Sequence, residues 1–171
     1  MKTKEKILIA AKNYLLKNGQ AGFTVRSIAA EAEVNQGLIH HYFGSKENLI
    51  LELIHYVATA PFEEAKRQVV KMPKKEVKDV LLKIFIQNSE LVKLIMEFVN
   101  LARHSEQIRK KMQNIMMERR EFMTNILGIE DNDEKVLFIA GIFGIIFVSQ
   151  IDDSVNVEGA VKKLFSKFGI I

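Results

Sequence analysis

The 171-residue chain has no cysteine. That excludes disulfides, cysteine nucleophiles and thiolate metal sites, and it fits a reducing compartment such as the cytoplasm. Proline is scarce, with only Pro61 and Pro73, so helices can run with few forced breaks. Neither sign of charge dominates: 25 Lys and Arg stand against 21 Asp and Glu, a net +4. At 48% hydrophobic and 27% charged, the composition excludes a disordered tail or an acidic scaffold. The longest apolar run, residues 136–148, has 13 residues and includes two glycines. A membrane helix needs roughly 17–25, so a buried helix is expected there. Near the start, Lys12 interrupts the apolar stretch after the basic opening, which suits a soluble helix better than an export signal.

Catalytic signatures are missing too. No His-Glu-x-x-His, zinc-like ligand spacing, glycine-rich phosphate loop or serine nucleophile elbow occurs, so the expectation is a non-enzyme with no metal and no cofactor. His40 and His41 are adjacent, and neighbours on a helix point in different directions.

What remains is helical periodicity nearly throughout. Ile7, Ala10, Ala11, Tyr14 and Leu15 share one face, and Gly19 is placed to stop that helix. Thr24 and Ser45 are good N-caps for further helices, with Pro61 expected to close the fourth. Ser105 and the Asp131/Glu134 pair open later ones, Gly128 ends one, and Asp152, Asp153 and Asn156 separate the last helix from the one before it. The fold expected is all-α, with a small N-terminal domain at 1–50 and a larger helical domain at 51–171. The positive excess sits in the first: residues 1–50 carry seven Lys/Arg against four Asp/Glu, and the remainder 18 against 17.

The most informative stretch is 24–43. Val25, Ile28, Ala29 and Ala32 put small and apolar side chains on one helix face. Val34 plugs the turn, and Leu38 with Phe43 can anchor the next helix. Short helices meeting steeply need a small contact residue, which Ala29 supplies. This fits helix-turn-helix DNA binding, and equally a generic three-helix packing unit. On the outer side Asn35, Gln36 and His40 can meet base edges, His41 can donate to phosphate, and Gly37 permits close approach. Arg26 and Lys46 suit backbone contacts.

Residues 24–49, ending in Tyr42-Phe43-Gly44-Ser45-Lys46-Glu47-Asn48-Leu49, resemble the signature of the TetR/AcrR family over roughly residues 5–52. The resemblance implies a helix-turn-helix transcriptional regulator with a divergent C-terminal domain for ligand binding and dimerisation. It also implies phosphate contacts by Thr24, Arg26, Tyr42 and Lys46, and a recognition helix carrying Gln36, Gly37, Leu38, His40 and His41. Leu38 stands where a small or hydroxyl residue is usual, and His40 where tyrosine is frequent, which leaves the operator sequence unspecified.

A two-fold dimer would repeat one short readout on an inverted repeat of double-stranded DNA. The last two helices are its candidate interface, through Phe138, Ile142, Ile145, Leu164 and Phe168, although the same residues suit an intramolecular core. Central methionines and aromatics, Phe85, Met96, Phe98, Met112, Met116 and Phe122, can line an adaptable pocket for a small apolar or amphipathic effector, or form a plain core. Asn100, with Asn88, Glu97, Arg103 and His104, is a candidate polar anchor. A ligand-responsive repressor is the function these expectations compose.

Overall fold

Side-chain caps and glycines set most helix limits. The computed structural model describes residues 2–73, 76–77, 79–81 and 89–170. Its main elements are α1 (Thr3–Asn18), α2 (Val25–Glu31), α3 (Gln36–Phe43), α4 (Lys46–Ile54), α5 (Ala60–Val69), α6 (Ser89–Ala102), α7 (Glu106–Leu127), α8 (Asn132–Val148) and α9 (Val157–Lys167). The described residues are all-α. Gly19 ends α1 at φ +63° with its N–H on the Leu15 carbonyl, and Gly128 follows α7 at φ +78°. Ser45, Asp131 and Asn156 accept from backbone N–H groups at the starts of α4, α8 and α9.

Pro61 does not close the fourth helix. Between α4 and α5 the chain runs through a π-turn, His55–Thr59, in which the Ala60 N–H reaches back five residues to the His55 carbonyl. That reset places Pro61 at the second position of α5, where a missing N–H costs little.

The chain forms two compact units. Lys93–Ile115 joins the residues up to Lys66 in the first; Arg67–Val92 and the chain from Met116 onward make the second. In the first, Ile7, Leu15, Phe23, Ile28, Ile39, Leu49, Leu53, Ile54 and Phe98 are almost wholly buried, each contributing about 2 kcal/mol of apolar burial. The second is built around Phe138, whose ring centroid lies 5.4 Å from that of Phe165 and 5.3 Å from that of Phe168. Lys135, buried in this unit, pairs at 2.8 Å with Glu121, whose carboxyl is held below its ordinary pKa by that hydrogen bond.

Candidate nucleic-acid interface

The region expected to meet DNA is built by three successive caps. At α2, Thr24 Oγ1 accepts from the Ser27 N–H at 3.0 Å while the Thr24 N–H donates to Ser27 Oγ at 2.9 Å. This reciprocal box fixes the entry angle of α2; the sequence pattern marked Thr24 but not Ser27. The α2 exit is tied by the Val34 N–H on the Ala29 carbonyl at 3.0 Å. The turn itself falls on Glu33, at φ +49° the one positive-φ non-glycine among the described residues. A left-handed residue here swings the chain from α2 into α3.

At α3, Asn35 Oδ1 accepts from the Gly37 N–H at 2.7 Å. Asn35 thus has a structural duty, and what it can offer a base edge is its amide nitrogen. A Cβ on Gly37 would come to 3.2 Å from that same Oδ1, so the bare glycine leaves room for the cap. Ile39 and Phe43 hold the helix down, 1% and 5% exposed. Leu38, expected from sequence to anchor the helix with Phe43, does not do so; Ile39 takes that place. Residues four apart share a face, whereas Leu38 is turned away by about 100° and is 37% exposed.

The outer surface of α3 therefore carries Gln36, Gly37, Leu38, His40, His41 and Tyr42, all exposed. Helical geometry centres Gly37, Leu38 and His41 opposite the buried pair, with Gln36 and His40 on one flank and Tyr42 on the other. His40 Nδ1 lies 3.4 Å from the Gly44 carbonyl, and the His41 and Tyr42 rings meet edge to face at 5.1 Å.

The expected backbone-contacting residues stand at helix starts or on the outer face of α3. Thr24 and Arg26, at the start of α2, are exposed. Lys46 opens α4 behind the Ser45 cap, and its ammonium stands 5.7 Å from the ring centroid of Phe23, the residue before Thr24. An open hollow of about 700 Å³, which no sequence pattern marked, is lined by Tyr42, Phe43, Asn48, Leu51, Glu52, His55 and Lys111.

The expected ligand residues are shared between the two units. Met96, Phe98, Asn100 and Met112 belong to the first unit, and Met116 and Phe122 to the second. Phe98 and Met112 are buried, Met96, Asn100, Met116 and Phe122 half-buried. None of them lines the hollow. Phe85 and Asn88 lie outside the described residues. The Glu97 carboxylate accepts from the backbone N–H of Gln20.

The expected interface residues also divide. Phe138 and Ile142, 0% and 2% exposed, are core of their own unit and have no surface to offer a second copy. Ile145, Leu164 and Phe168 pack half-buried against that core. Leu164 lies so close over Gly141 that a Cβ there would come to 3.0 Å from both of its δ-carbons. The exposed apolar stripe of α8 is a different set: Leu137, Ala140, Gly144, Phe147 and Val148, continued by Ile151.

Among the described residues no group of three or more His, Asp or Glu is placed to hold a metal ion, and no helix is long and apolar enough to cross a membrane.

A capped helix, a left-handed turn and a second helix with a polar outer face define a helix-turn-helix protein. Residues 7–53 match the family model described as bacterial regulatory proteins, tetR family. Over that segment the chain is similar to the tetR family of bacterial regulatory proteins. It is 34% identical over 71 residues to the HTH-type transcriptional regulator QacR of Staphylococcus aureus, covering 42% of this chain and 38% of that protein. The chain spans well under two thirds of the length of the curated relatives it matches. Its fold is similar to that of a TetR transcription regulator from Haloarcula marismortui (TM-score 0.79, 16% identity, 97% of this chain and 95% of that one). It is also similar to a transcriptional regulator from Saccharomonospora viridis solved with choline (TM-score 0.81, 14% identity, 95% and 93%).

Proposed function

We propose that this protein is a sequence-specific DNA-binding repressor that binds an inverted-repeat operator as a homodimer and releases it on binding a small apolar or amphipathic effector. The observation that carries the reading is the outer face of α3. Gln36, Gly37, Leu38, His40 and His41 stand clear of a helix pinned by Ile39 and Phe43, and such a helix fits the major groove. Thr24, Arg26, Tyr42 and Lys46 flank it as phosphate contacts, with the DNA-reading domain at 1–50 and residues 51–171 serving effector binding and dimerisation.

The dimer surface is the exposed stripe of α8, Leu137 to Ile151, with the half-buried Leu164 and Phe168 beside it. Contiguous exposed apolar residues at helical spacing are the usual mark of an interface. The effector site draws on Met96, Phe98, Asn100 and Met112 of the first unit. Choline in a neighbour of the same fold is consistent with a small amphipathic molecule there.

The test is selection of bound fragments from sheared genomic DNA of the source organism, followed by titration against salt and random competitor. Recovery of one inverted repeat, bound with a steep salt dependence, is the expected result. Failure to enrich any sequence, with folded protein, across salt concentrations and with cell metabolites added, overturns the reading.

A further inference from the structure

Two contacts tie the helix-turn-helix to residues far along the chain, one next to Lys46 and the other in the loop that leads to Thr24. Glu97, on α6, accepts the Gln20 N–H on Oε2 at 2.9 Å. A Cβ on Gly19 would stand 3.4 Å from both oxygens of that carboxylate, so the α1–α2 loop lies directly against it. Four residues after Gln20 is Thr24, the cap of α2. The second contact joins Ser105, whose hydroxyl donates to Oε1 of Glu47 in the first turn of α4, next to Lys46. The same Ser105 oxygen accepts the Ile108 N–H at 3.1 Å and so caps α7. All four residues belong to one compact unit.

The placement is unexpected on charge alone. A protein that grips a polyanion gains nothing from carboxylates beside its phosphate contacts, because each repels the backbone. Here both carboxylates are turned onto donors of the protein. We propose that Glu97 and Ser105 are positioning residues for DNA binding: Glu97 holds the α1–α2 loop, and Ser105 holds Glu47, so that Thr24 and Lys46 are set at a fixed separation before DNA arrives. This rests on the DNA-binding reading above. Preorganisation of this kind lowers the ordering cost of binding.

Charge and geometry make opposite predictions, which separates them. Glu97→Ala removes a negative charge and the acceptor. Glu97→Gln removes the same charge and keeps an oxygen that can accept from Gln20. Glu47→Ala and Glu47→Gln form the matching pair at the other contact and leave the α7 cap untouched. Each is measured for affinity to the selected operator and to a random duplex, and for hydrogen exchange at the Gln20 amide. Positioning requires the alanine variants to bind both duplexes several-fold more weakly than the parent, and the glutamine variants to match or exceed it. Gln20 exchange must be faster in Glu97→Ala and restored in Glu97→Gln. Equal binding by the alanine and glutamine variants, both at or above the parent, overturns the proposal while the DNA-binding reading stands. Unchanged Gln20 exchange in Glu97→Ala overturns it as well. If the parent binds neither duplex, the DNA-binding reading itself fails and the positioning role falls with it, whatever the Gln20 amide does.

Discussion

The ammonium of Lys46 stands 5.7 Å from the ring centroid of Phe23, so the first residue of α4 is held against the residue that precedes the α2 cap. Phe23 is buried to 1% exposure, which gives the cation a fixed aromatic platform. Lys46→Ala is expected to weaken binding to specific and random duplexes alike and to lower the salt slope by about 0.9. Lys46→Arg keeps the charge and stacks well on an aromatic face, so it should retain most of the affinity. Salt titration of the three proteins on one duplex is the measurement. A slope unchanged in Lys46→Ala removes Lys46 from the phosphate contacts.

Asn35 has two candidate duties that substitution can separate. Its Oδ1 caps α3 through the Gly37 N–H, and loss of such a cap costs about 1 kcal/mol. Asn35→Ala should therefore unfold at lower denaturant concentration. Asn35→Asp keeps the capping oxygen and favours the helix N-terminus electrostatically, so stability is preserved. The added negative charge should nevertheless weaken DNA binding. If Asn35→Asp binds the operator as tightly as the parent, the Asn35 side chain does not approach DNA.

The periodicity of the sequence located the helices well because caps and glycines announce themselves locally. Thr24, Ser45, Ser105 and Asp131 stand in the structure at the helix starts where the pattern put them. What it could not resolve was which of two adjacent apolar residues faces inward. Leu38 and Ile39 are chemically alike, and only the packing of α3 selects Ile39. The same ambiguity moved the expected interface onto Phe138 and Ile142, because residues 136–148 are apolar all round and carry no stripe to read. The π-turn before Pro61 left no sequence signal, since a proline at a helix start and one at a helix end look the same. Contacts such as Gln20 with Glu97 join residues 77 apart, and no local pattern encodes them.

Glu33 is the residue with the most obvious conformational cost. Its φ of +49° is unfavourable for a side chain with a Cβ by roughly 1 kcal/mol, and glycine adopts it freely. The ion pair it makes with Lys6 is 3.5 Å long, and its side chain is 85% exposed, so little is lost with the charge. Glu33→Gly is expected to raise stability by about 0.5–1 kcal/mol, and Glu33→Val to lower it, because a β-branched residue tolerates this conformation worst. Thermal unfolding of the pair decides it. A destabilised Glu33→Gly would mean that the added freedom of the unfolded glycine chain, with the lost Lys6 contact, outweighs the backbone strain.

Gly144 separates helix stability from association. It lies inside α8 on the exposed stripe, and a Cβ there meets nothing within 4 Å. Within one chain Gly144→Ala should gain close to 1 kcal/mol of helix propensity. Between two copies packed along this stripe, the added methyl occupies the closest approach and weakens the dimer. The expected signature is an unfolding transition that rises at low protein concentration together with a larger dissociation constant in sedimentation. Leu137→Glu with Phe147→Glu tests the same surface more bluntly: both side chains are exposed, 63% and 44%, so the fold survives while two buried charges per copy would oppose association. A dimer that persists in this double variant places the interface elsewhere on the chain.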